Sequence, residues 1–241
     1  MLRNALVCLI ALTSCAVDEP ETDHDEPADF EVDPDDGKGD GVSAVFNQNL
    51  VLTDELFVAG EAMDTTDVQT FFEQTPYGTR SWLASHTLNG VSAAQAVVDA
   101  ARAQGIHPLV LVARMQVETS LVSKTVAPSQ RMIDRALGCG CPDGGSCASQ
   151  YKGLAKQLEC GATILRKWYD ASIAGTGEWR KGRTKRTLDP KSVTPGNHAT
   201  ASLYAYTPWV LVGRGGTWLA WNVTRKYVRH AETTGLVTPM P

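Results

Sequence analysis

Apolar residues follow two regimes along the chain. Ala5 to Leu12 is an unbroken apolar run, whereas Ala16 to Gly41 holds only Val17, Phe30 and Val32 as larger apolar side chains. From Val42 onward, apolar positions recur at spacings of three and four, the period of a helix with one buried face. Asp64-Thr-Thr-Asp67 ahead of Val68, Phe71 and Phe72 reads as a capped helix start. Ser92 caps a helix with Ala96, Val97, Ala100 and Ala101 on one face, stopped by Gly105. Pro108 suits the first turn of the next helix, Leu109 to about Glu118, with Val112, Ala113 and Val117 inward. Gly153 to Asp170 carries Leu154, Leu158, Ala162, Leu165 and Trp168 or Tyr169 at helical spacing, and Ala199–Tyr206 and Trp218–His230 read the same way. Strand alternation is scarce, and the basic stretch Arg180 to Arg186 falls in a long polar connection. The pattern predicts a mainly α fold with a single domain over residues 42–241.

The apolar run near the start is too short to span a membrane, which takes about 20 residues. With Arg3 before it, it reads as a signal peptide over residues 1–15. Leu12-Thr13-Ser14-Cys15 resembles a bacterial lipobox, in which the cysteine is acylated. An ordinary signal peptide with an incidental cysteine is the alternative. Two or three acyl chains on Cys15, at about 0.8 kcal/mol per buried methylene, would anchor the protein stably. The expectation is an exported bacterial lipoprotein, membrane-anchored and facing the periplasm or the cell exterior.

Residues 16–41 read as a disordered acidic linker. Asp33 to Asp40 hints at a calcium loop, but its glycine comes one position early, and a solvated spacer is the better reading. Charge sharpens the division. The chain carries a net −5, yet Asp18 to Asp40 holds twelve acids and one base, leaving Val42 to Pro241 with 20 bases, 15 acids and a net +5. Such a domain would be drawn to an anionic polymer, and an exported protein gives the basic run little reason to meet nucleic acid. With Cys8 and Cys15 set aside, Cys139, Cys141, Cys147 and Cys160 remain, an even number that suits two disulfides in an exported domain. The short gap favours Cys141–Cys147, leaving Cys139–Cys160. A four-thiolate zinc site is the rival, without its usual two-residue spacings.

One carboxylate stands out. Glu118 ends the apolar helix that begins at Pro108, where the helix terminus and apolar neighbours both favour a protonated carboxyl, the form a glycosidic general acid needs. The surrounding text resembles the lysozyme-like superfamily, which holds goose-type lysozymes and soluble lytic transglycosylases. Four blocks carry the resemblance. They are Phe46–Asp54 with Val68–Phe72, then Ala93–Ser120, then Ala136–Gly144 with Gly153–Gln157, and lastly Thr194–Pro208 with Gly215–Tyr227.

The resemblance implies a lysozyme-like domain with Glu118 as general acid, cleaving β-1,4 bonds in peptidoglycan glycan strands as a muramidase or lytic transglycosylase. It implies Tyr206 as the partner of Glu118 and Gly138, Tyr204 and Thr207 as substrate-binding residues. Asp143, with Asp134 beside it, is the candidate second carboxylate. Thr207 stands where the family carries Asn, and Leu137-Gly-Cys-Gly140 replaces a Gly-Leu-Met-Gln turn. The alternatives are an endo-β-N-acetylglucosaminidase acting on peptidoglycan, chitin-like or glycoprotein glycans, or a non-catalytic glycan-binding lipoprotein. No cofactor or metal is expected. The expected partners are peptidoglycan and, through lipid on Cys15, the membrane, with the protein a monomer.

Overall fold

The computed structural model describes Asp29, Glu31, and residues 41–142 and 145–238. Among these, eight α-helices and two short hairpins follow one another. They are α1 (Asp54–Phe57), α2 (Thr65–Glu73), β1 (Thr87–Leu88), β2 (Val91–Ser92), α3 (Ala93–Gln104), α4 (Pro108–Thr119), α5 (Gln130–Ile133), α6 (Leu154–Ile173), β3 (Lys185–Arg186), β4 (Ser192–Val193), α7 (His198–Tyr206) and α8 (Gly216–Thr233). The fold is mainly α. Each hairpin is antiparallel, and β3–β4 takes the end of the basic stretch out of the plain connection it was read as.

Local chemistry sets the helix ends. Asp64 accepts from the backbone N–H groups of Thr66 and Asp67, while the Asp67 side chain reaches back to the Asp64 N–H, a reciprocal cap for α2. Ser92 Oγ accepts from Gln95 N–H at the start of α3. Gly105 ends α3 at φ 58°, a left-handed conformation that favours glycine. His107 caps α4, its Nδ1 accepting from Leu109 N–H ahead of Pro108.

Helix α4 is the centre of the molecule. Every residue from Pro108 to Gln116 is buried, so this helix is enclosed on all sides rather than along one stripe. Helix α8 packs along it, α3 packs against α2, α4 and α6, and α6 lies against α7. Aromatic pairs lock these contacts: Phe57 stacks on Tyr169 with ring centroids 4.9 Å apart, Trp179 on Tyr204 at 5.0 Å, and Phe71 meets Tyr227 edge-on at 5.0 Å. Trp218 and Trp221 are buried in this core, whereas Trp209 is exposed.

Two disulfides brace the segment between α5 and α6. Cys139 is joined to Cys160 on α6, and Cys141 to Cys147. No helix among the described residues is long and apolar enough to cross a membrane.

Candidate functional site

Glu118 lies in the last turn of α4, and Arg114 lies one turn earlier on the same helical face. The two side chains form an ion pair. Arg114 is almost wholly buried, with its side chain 2% exposed, while Glu118 keeps 28% of its side chain open to solvent. The guanidinium also donates to Thr207 Oγ1 at 3.0 Å and sits 4.6 Å from the centre of the Tyr206 ring. Tyr206 in turn donates its hydroxyl to the Leu137 carbonyl at 2.7 Å. Burial pushes the Tyr206 phenol well above its ordinary range, against the pull of Arg114.

The opposite wall is the Leu137–Cys139 turn. Gly138 has φ 72°, and a Cβ there would lie 2.7 Å from Glu118 Oε2, so the close approach requires a glycine. Gln157, fully buried on α6, fixes this turn. Its Oε1 accepts from the N–H groups of Leu137 and Cys139, each at 3.1 Å, and its Nε2 donates to the carbonyls of Cys139 and Tyr151, each at 2.7 Å. The Cys139–Cys160 bridge ties the same turn to the same helix.

Four of the residues singled out from the sequence thus meet: Glu118, Gly138, Tyr206 and Thr207. Tyr204 does not join them. It is fully buried against Trp179, with its phenol pushed up by burial, so it packs the core and is closed to a ligand. Asp143 and Cys15 lie outside the described residues. Asp134, at the end of α5, accepts from Gln130 Nε2 at 2.8 Å.

Arg114 and Gln157 carry the site without having been singled out. Arg114 sits in a largely apolar helical run and Gln157 in a mixed one, where a polar residue reads as surface until the fold supplies its partners. A charge-bearing side chain within the otherwise apolar Pro108–Glu118 run was the available signal for Arg114. The second surprise is Asp29, read as part of a solvated spacer. Its side chain is buried against the domain and bonded to Tyr77 and Gln116. Among the described residues no group of three or more His, Cys, Asp or Glu side chains is arranged to hold a metal ion.

The model of one protein family, described as LasA, N-terminal domain, matches residues 50–207. No curated protein and no solved structure matches the chain. The family match overturns the expectation of glycan cleavage. It points to a peptidase-related protein, not to a muramidase, lytic transglycosylase or endo-N-acetylglucosaminidase. Glycosidase and cell-wall-hydrolase descriptions fall with it, and no lysozyme-like family is matched.

The geometry supplies a physical reason. The general-acid reading placed Glu118 among apolar neighbours, whereas the helix end pairs it with the buried guanidinium of Arg114. The secreted character of the family and the two disulfides agree that the protein is exported.

Proposed function

The chain belongs to the LasA N-terminal domain family, and from that premise we propose that it is an exported, peptidase-related protein whose helical domain binds peptide. The observation that carries this reading is the extent of the family match, residues 50–207, which takes in Arg114, Glu118, Gly138, Gln157, Tyr206 and Thr207 together. The solvent-open side of Glu118 is read as a peptide-donor subsite. Glu118 Oε1 is turned to Arg114, while Oε2 faces the Gly138 turn, where no Cβ intervenes, on a side chain that keeps part of its surface open. A carboxylate oxygen so placed accepts a hydrogen bond from a peptide N–H or ammonium group, and such a charge-assisted bond is stronger than a neutral one. Arg114, Tyr206 and the disulfide-braced turn hold that oxygen in position, so little order is lost on binding.

The partner proposed is the peptide part of an anionic wall polymer. The net +5 of residues 42–241 favours approach to stem-peptide carboxylates, and added salt weakens it. The likeness to the lysozyme-like superfamily is read as one of architecture alone. For its place in the cell, the proposal keeps the lipid anchor on Cys15. Radiolabelled palmitate should enter the expressed protein and fail to enter the Cys15→Ser variant; equal labelling of both would end that part of the reading.

Glu118→Gln tests the subsite. The amide keeps the size of the side chain and an acceptor for Arg114 but loses the charge. Its affinity for peptide-bearing wall fragments is expected to fall about tenfold, the worth of one charge-assisted bond. Unchanged affinity in a variant with an unaltered circular dichroism spectrum would overturn the role of Glu118.

A further inference from the structure

Asp29 belongs to a segment whose composition predicts a solvated tether, yet its side chain is 8% exposed. Its carboxylate is received by side chains from three separate parts of the domain. Tyr77, in the turn after α2, donates its hydroxyl to Oδ1 at 2.5 Å. Gln116 of α4 donates Nε2 to Oδ2 at 2.5 Å. Lys226 of α8 brings its ammonium to 3.9 Å from Oδ1. The backbone is held as well: Asn222 Nδ2, one turn before Lys226, donates to the carbonyls of Asp29 at 2.8 Å and Glu31 at 2.9 Å.

These groups form a built receptor. Gln116 and Asn222 are each 2% exposed, and the Tyr77 hydroxyl is also 3.1 Å from that of the buried Tyr227. Gln116 is itself fixed, its Oε1 accepting from Ser123 N–H at 3.0 Å. Burying polar groups of this kind is costly unless each finds a partner, and Asp29 is the partner that they share. Beside it opens a cavity of about 440 Å³ lined by Glu31, Tyr77, Lys226, Arg229 and His230 among others. Its basic lining matches the twelve acids between Asp18 and Asp40.

We propose that this notch is a recognition site for an aspartate-bearing peptide, occupied by the chain's own acidic segment through Asp29. The segment is a strap. Gln116 lies two residues from both Arg114 and Glu118, on the opposite side of α4, so the strap docks away from Glu118 and leaves its exposed side open. The tether therefore meets the domain at Asp29, and not at the start of the helical pattern near Val42.

The test uses the full chain and a Glu-specific endoprotease, with cleavage after Glu31 followed by mass spectrometry. Proteolysis requires the backbone to leave its contacts, so the Asn222 bonds and the Asp29 notch should protect this site. Asp29→Ala is expected to raise the cleavage rate after Glu31 about tenfold or more, with the rate after Glu21 unchanged. Tyr77→Phe, which removes only one hydroxyl, should give a smaller rise than Asp29→Ala. A free peptide spanning residues 25–35, added in excess to the wild-type chain, should also speed the cut, whereas the same peptide carrying Asp29→Asn should not. Equal cleavage after Glu31 in the wild type and Asp29→Ala, or equal effects of the two peptides, would overturn the proposal.

Discussion

His107 is buried at the start of α4, and burial pushes its pKa from the ordinary 6.5 down to about 4. The native chain therefore holds it neutral through a range in which the unfolded chain binds a proton. Stability from this residue is fully present above about pH 6.5 and is lost as the pH falls towards 4, by roughly 3 kcal/mol in all. His107→Asn keeps a capping acceptor without the titration. Its denaturation midpoint should fall less between pH 7 and pH 4.5 than that of the wild type; parallel curves would contradict the assignment. Gly138 offers a second check at this scale. With φ 72° and no room beside Glu118, Gly138→Ala should cost about 1–3 kcal/mol in urea denaturation. A variant as stable as the wild type would mean that the turn moves freely off Glu118. Neither role is visible in a residue's own letter. Glu118 was legible as the polar end of an apolar helix, but its chemistry is set by Arg114, which becomes a partner only when both lie on one buried face.

At the level of elements, the helices were legible where apolar spacing runs for two turns or more. The start expected at Pro108 and the stop at Gly105 are those of α4 and α3, because caps act on neighbouring residues. Helices α1 and α5 and the two hairpins went unread; four residues or two carry too little periodicity to detect. Gln157 could not be read either, since its four partners come from the disulfide-bound turn and from Tyr151. That turn should be the stiffest part of the site. Gln157→Leu leaves several buried backbone groups without partners and should destabilise the protein by about 3 kcal/mol or more. Removing the Cys139–Cys160 bridge, which closes 21 residues, should cost about 3 kcal/mol, against about 2 for Cys141–Cys147, which closes 6. Chemical denaturation of the paired Cys→Ala variants gives the order, and the reverse order would show that loop closure does not set it.

For the whole molecule, charge organises the account. An acidic segment precedes a basic domain, and at Asp29 the two are joined rather than merely tethered. Composition changes at residue 41, but the docking of Asp29 was not legible, because its receptor is assembled from α4, α8 and the turn after α2. Function was the least legible level. Block-by-block likeness pointed to sugar cleavage, while the family match points to a peptidase-related protein.

The most direct measurement is co-sedimentation of the full chain with two forms of one wall preparation, intact and stripped of stem peptides, with released reducing ends assayed in parallel. The account predicts binding to the intact wall that weakens with salt, loss of that binding on the stripped glycan, and no new reducing ends. Equal binding to the stripped glycan, or reducing ends that rise with time, would contradict it.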